Sequence, residues 1–138
     1  MEKIILALVL LFLITSCEVQ GELTKGKVDD PIEIPMTGLK YSGQFVSAPG
    51  ESVSGFAKIF FENDYQLVLE NLIASGPDLK VYLSKSDRPL EFVNLGSLVK
   101  SKTRYEIPKG IDVSEYKYVI IYCQQYSVIF GVAQLTQS

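Results

Sequence analysis

The sequence predicts an all-β fold: a single antiparallel β-sandwich or partly closed barrel of about seven to nine short strands spread over residues 38–138. Three observations predict it. Short runs rich in Val, Ile, Phe and Tyr alternate with Gly, Pro, Asn and Asp turn signals at the spacing of a β domain. Where the runs are clearest, apolar and polar residues alternate with a period of two. No 3.6-residue periodicity lasts long enough for a full helix, and no internal repeat appears.

Residues 39–47 form the first run, closed by Pro49-Gly50, and residues 55–61 form the second. Glu62-Asn63-Asp64 then supplies side-chain oxygens that satisfy a turn. In residues 65–72, Tyr65, Leu67 and Leu69 fall on one face and Gln66, Val68 and Glu70 on the other, so a hairpin is expected here. Further strands are expected at residues 79–84, after Gly76-Pro77-Asp78, at residues 92–98, and at residues 104–107 before Pro108. Residues 111–116 read as one helical turn, which Asp112 or Ser114 can cap. Residues 118–123 and 128–133 are apolar on both faces, as strands buried on both sides are.

Ahead of this domain lie two segments of different character. Residues 1–17 carry Lys3, an apolar run from Ile4 to Ile14 and the ending Thr15-Ser16-Cys17. The run is about eleven residues, short of the roughly 18 that span a bilayer, and reads as a signal-peptide core. Its ending resembles a bacterial lipobox, which makes Cys17 the expected lipidation site and the mature N-terminus. An ordinary secretory leader cleaved elsewhere is the alternative. Several acyl chains on one residue would anchor the protein to a membrane without spanning it. Residues 18–37, with Gly21, Gly26, Asp29-Asp30-Pro31 and Pro35, read as a flexible tether in which Ile32-Glu33-Ile34 is a possible short edge strand.

Composition narrows the chemistry. The 138 residues are 47% hydrophobic and contain two cysteines and no histidine or tryptophan, which suits one globular domain and excludes disorder. Without histidine there is no Ser-His-Asp or Cys-His catalysis, no His-bearing zinc site and no His-ligated haem within the chain. A net charge of −3 gives no positive field for nucleic acid, so no nucleic-acid partner is expected.

Cys123 is the residue with most chemical promise. It ends the run 118–123 in phase with Val119 and Ile121. With Cys17 acylated it is the one remaining thiol and has no intramolecular disulfide partner. Two readings stand: a small core hydrophobe, or a strand-end thiol near solvent, since Gln124-Gln125 follow, that serves as a redox group or thiolate ligand. A reactive thiol needs a neighbouring cation. Lys117 is about 20 Å away along a continuous strand, which leaves Arg88, Lys100, Lys102 and Arg104 as candidates. Glu62, Asp64 and Asp29-Asp30 lack calcium-loop spacing, and no metal site is expected. The aromatic pairs Tyr41 with Phe45 and Phe56 with Phe60 read as core and edge packing rather than a sugar platform.

Ser54-Gly55, Gly76-Pro77-Asp78-Leu79 with Val81-Tyr82-Leu83-Ser84, Phe92-Val93 with Leu95-Gly96, Tyr105-Glu106-Ile107-Pro108, and Tyr122-Cys123 with Phe130-Gly131-Val132-Ala133 occur in an informative order. Together they resemble the electron-transfer DM-thirteen domain, a β-sandwich module that accompanies DOMON domains in secreted and surface proteins. The resemblance covers residues 38–135. It implies a non-catalytic domain with a redox role, and it places the family's signature cysteine on Cys123, as a bare thiol or as the holder of a prosthetic group such as haem. The chain departs from the family in carrying Glu51 where a His is common and Tyr122 where a Trp is common. Any haem would therefore have to be held by the Cys123 thiolate, and a cofactor-free domain is expected in isolation.

The expectation is an extracytoplasmic lipoprotein, periplasmic or on the cell surface, with an electron-transfer accessory role through one thiol. Its partners would be the membrane, through the N-terminal lipid, and an envelope protein or redox partner. The alternative is a non-catalytic cell-envelope binding or structural module with Cys123 buried in its core.

Overall fold

Alternation along each run dictates which side chains turn inward, and the strands it produces lie in one antiparallel sheet. The computed structural model describes residues 38–138. The leader, Cys17, the tether and its Ile32-Glu33-Ile34 strand lie outside the described residues. In chain order the strands are β1 (Leu39–Ser47), β2 (Ser54–Phe61), β3 (Tyr65–Ile73), β4 (Leu79–Ser84), β5 (Phe92–Ser97), β6 (Arg104–Glu106), β7 (Tyr118–Cys123), β8 (Val128–Gln134) and β9 (Thr136–Gln137). A single 3-10 turn, Val113–Glu115, precedes β7.

The strand order is β5-β4-β7-β8-β1-β2-β3-β6, with β9 also on β1. Of the two arrangements the sequence allows, this is the nearly closed barrel: one curled sheet rather than two stacked ones. β1 makes the corner, pairing β2 and β9 along its first part and β8 through Phe45, Val46 and Ser47. The edges, β5 and β6, meet at a seam where the Tyr105 hydroxyl donates to the Ser97 carbonyl at 3.1 Å.

The expected hairpin is β2–β3, in register from Phe61↔Tyr65 to Ser54↔Ile73 around the Glu62–Asp64 turn. Ala57, Ile59, Leu67 and Leu69 point into the barrel with Val81, Leu83, Val119 and Ile121 from the opposite wall. Full burial of each of these larger side chains contributes on the order of 1.5–3 kcal/mol. Two details differ from the sequence reading. Asp112 alone caps the 3-10 turn, its carboxylate accepting from the Ser114 amide at 3.1 Å and the Ser114 hydroxyl at 2.6 Å, so Ser114 is the capped residue. Val68, on the face expected to be polar, is buried.

Candidate functional site

Cys123 is the last residue of β7, and strand phase aims its side chain inward with Val119 and Ile121. It lies opposite Leu79 on β4 and Val128 on β8. Its Sγ–H donates to the Pro77 carbonyl at 3.0 Å, and the residue is 0% exposed. Among the described residues it is the free cysteine.

The loop that supplies this acceptor is held in four ways. Gly76 packs so closely on the Phe130 ring that a Cβ there would overlap ring carbons, which is why a side-chain-free residue stands at this position. Asp78 takes a left-handed conformation, φ +50°, which carries the chain from Pro77 into β4. The Asp78 carbonyl accepts the Gln124 amide at 3.1 Å, tying the loop to the residue after Cys123. The Asp78 carboxylate pairs with Lys80 Nζ at 3.1 Å, and Lys80 also donates to Ser97 Oγ at 2.7 Å. Residues 76–78 therefore lie as a lid over the sulfur, which donates to the Pro77 carbonyl.

The four cations considered as activators are placed elsewhere. Arg88 follows the far end of β4, and its carbonyl accepts the Ser84 and Ser86 hydroxyls. Lys102 sits over the Tyr105 ring, 4.6 Å from its centroid. Arg104 donates to Gln66 Oε1 at 3.0 Å on the outer face, and Lys100 is exposed in the β5–β6 loop. The cation that the fold does bring to this end is Lys80, already paired with Asp78. The sequence reading passed over it because two residues along a strand it points away from the core.

Glu51 also lies at this end of the barrel, in the loop whose Ala48 amide donates to the Phe130 carbonyl at 2.9 Å. Behind Cys123, on the outer face, Tyr122 packs on Tyr82 with centroids 5.1 Å apart, and Tyr82 stacks on Phe92 at 4.3 Å. These rings spend their faces on one another rather than presenting a flat shelf. Burial pushes the Tyr82 hydroxyl above its ordinary pKa, and the nearby Tyr122 and Asp78 push it the same way. Of the other aromatics, Phe45 is core, Tyr41 packs against the core, and Phe56 is exposed on β2, an inner strand of the sheet.

A haem does not fit this arrangement. The sulfur is enclosed by core neighbours, and the direction from which iron would approach is filled by the Pro77 carbonyl. An open groove of about 410 Å³, lined by Asp64, Tyr65, Glu106, Ile107, Pro108 and Lys109, lies at the opposite end of the barrel. Glu62 and Asp64 flank the β2–β3 turn there, with Asp64 3.8 Å from Lys109 Nζ. Among the described residues no group of three His, Cys, Asp or Glu is arranged to hold a metal, and no helix is long and apolar enough to cross a membrane.

Residues 44–135 match the family model described as electron transfer DM13. The match runs from β1 to the residue after β8 and includes both Pro77 and Cys123. No curated protein and no solved structure matches the chain.

Proposed function

Because the chain belongs to the electron transfer DM13 family, whose description carries a redox-related role, we propose that it is an extracytoplasmic electron-transfer accessory whose own redox group is the Cys123 thiol. The observation that carries this reading is the convergence of two distant pieces of the family pattern, Gly76-Pro77-Asp78 and Tyr122-Cys123, at one sulfur. The apolar leader and Thr15-Ser16-Cys17 support membrane attachment through a lipid on Cys17. The domain works without a haem and without turning over a substrate of its own.

A lone thiol constrains the chemistry. When the lid lifts, the Cys123 sulfur attacks one sulfur of a partner's disulfide; a new S–S bond forms, the partner's S–S bond breaks, and the thiol proton goes to the departing partner sulfur. Attack by the partner's freed thiol only reverses this step, so net transfer of two electrons needs a second thiol that attacks the Cys123 sulfur, releases the partner as a dithiol and is left in a disulfide with Cys123. The test is to mix the reduced protein with a small disulfide such as oxidised glutathione and follow the mixed disulfide by mass. With Cys17→Ser leaving one thiol, the expected adduct is one per chain, located at Cys123 and absent when Cys123→Ala is added. A protein that forms no adduct until it is unfolded overturns the thiol mechanism.

Complete burial of Cys123 favours a second reading, a cell-envelope binding or structural module in which the thiol only packs. That reading expects no adduct on the folded chain.

A further inference from the structure

Outward faces of barrel strands are ordinarily polar, and one wall of this barrel follows the rule: β2, β3 and β6 carry Lys58, Glu70, Arg104 and Glu106. The opposite wall does not. Strands β4, β5, β7 and β8 contain no acid and a single base, Lys80, which is paired with Asp78. Register sets Val46, Val132, Ile120 and Tyr82 opposite one another on β1, β8, β7 and β4, so an apolar row crosses four strands. These residues alternate with the core side chains Phe45, Ala133, Ile121 and Val81 and therefore face outward. The face is open to solvent: Val46 is 70% exposed, Phe92, stacked on Tyr82, is 41% exposed, and Val132 and Tyr122 between them are half-buried.

Aromatic residues without acids or lysines are what the centre of a protein interface uses, and charge selects the occupant. The chain carries a net charge of −3, so two copies repel one another except where neither presents an acid. The strands of this wall present none. A strongly charged partner finds its complement on the opposite wall instead, and an anionic lipid surface finds no cluster of Lys and Arg here. An uncharged face is complementary to itself, as a two-fold pair requires. Five strands at about 4.8 Å and six residues at about 3.3 Å span roughly 24 by 20 Å. Two such faces together bury on the order of 1,000 Å², the lower end for a specific interface.

We propose that two copies of this chain associate face to face through the outer surface of β1, β8, β7, β4 and β5, with Val46, Val132, Tyr122 and Phe92 packed across a two-fold axis. The pair is a weak, reversible dimer in which the two sheets stack. The inference rests on packing and charge and is independent of the thiol chemistry.

The test is sedimentation equilibrium of the full chain in a detergent matched in density to the solvent. The expected mass rises from one chain toward two as protein concentration increases. Val46→Glu and Phe92→Glu, both at exposed positions, should each weaken association by about tenfold or more, because two-fold symmetry brings every added charge toward its own copy. Ile73→Glu, equally exposed at the end of β3 on the other wall, should leave association unchanged. Nuclear Overhauser contacts between a labelled and an unlabelled copy of the natural chain give a check that needs no variant, and are expected from the Val46 and Val132 methyls. A mass of one chain at every concentration overturns the proposal. So does a dimer that both Glu variants leave intact, or one whose intermolecular contacts omit these methyls.

Discussion

The Cys123 thiol and the Pro77 carbonyl, 46 residues apart in sequence, meet at 3.0 Å with the sulfur as donor. A thiolate has no proton to give to that carbonyl, so the closed lid and the nucleophilic form of the sulfur exclude each other. The proposed thiol chemistry therefore requires an opened state, and the account predicts that opening is a local event at residues 76–78 rather than unfolding of the whole barrel.

Replacing the sulfur tests its packing. Cys123→Ala removes a fully buried atom from the barrel core, and the cavity left there should lower stability by about 1–2 kcal/mol in urea unfolding. A change within a few tenths of a kcal/mol would place the thiol outside the packed core.

Gly76→Ala adds a methyl group where the Phe130 ring already lies. Overpacking of this kind costs about 1–3 kcal/mol. Because the strain falls on the lid, the same variant should label faster at Cys123 than its loss of global stability explains, as a thiol-reactive dye would report.

Tyr105 governs the alkaline limb. Burial pushes its hydroxyl up to about 12, partly offset by a backbone hydrogen bond from Val99. The folded state holds the phenolic proton more tightly than the unfolded chain, whose tyrosines titrate near 10. Tyr105 therefore contributes stability that is fully present below about pH 10 and lost as pH rises from about 10 to 12, up to roughly 2–3 kcal/mol. Urea midpoints across that window should fall steeply in the natural chain and less steeply in Tyr105→Phe. Parallel curves would contradict the assignment.

Haem titration supplies a further check. The closed sulfur predicts the same Soret spectrum for the natural chain and for Cys123→Ala. A thiolate-type band lost on substitution would show that iron reaches the sulfur after all.

Much of the barrel was legible because its strands keep the period-two rule: Leu67 and Leu69 point in and Gln66 and Glu70 out, and the turn residues between them are of the expected types. β9 was not, since Thr136-Gln137 is two polar residues held by their pairing with Tyr41 and Ser42, a contact across almost the whole domain. Val68 shows the other limit, because alternation reports which residues share a face and not what covers that face. At the site, inward phase gave the direction of Cys123. Its contact with Pro77 depends on β4 lying beside β7, which local pattern does not encode.

The most direct measurement is the alkylation rate of Cys123 in the folded chain, with Cys17→Ser leaving one thiol, set beside the same rate in denaturant and in Asp78→Ala. The Asp78–Lys80 pair is partly exposed, so cutting it should alter global stability by no more than about 1 kcal/mol. The lid account predicts labelling far slower when folded than when unfolded, and several-fold faster in Asp78→Ala than its stability change requires. Folded labelling as fast as that of the unfolded chain would contradict it.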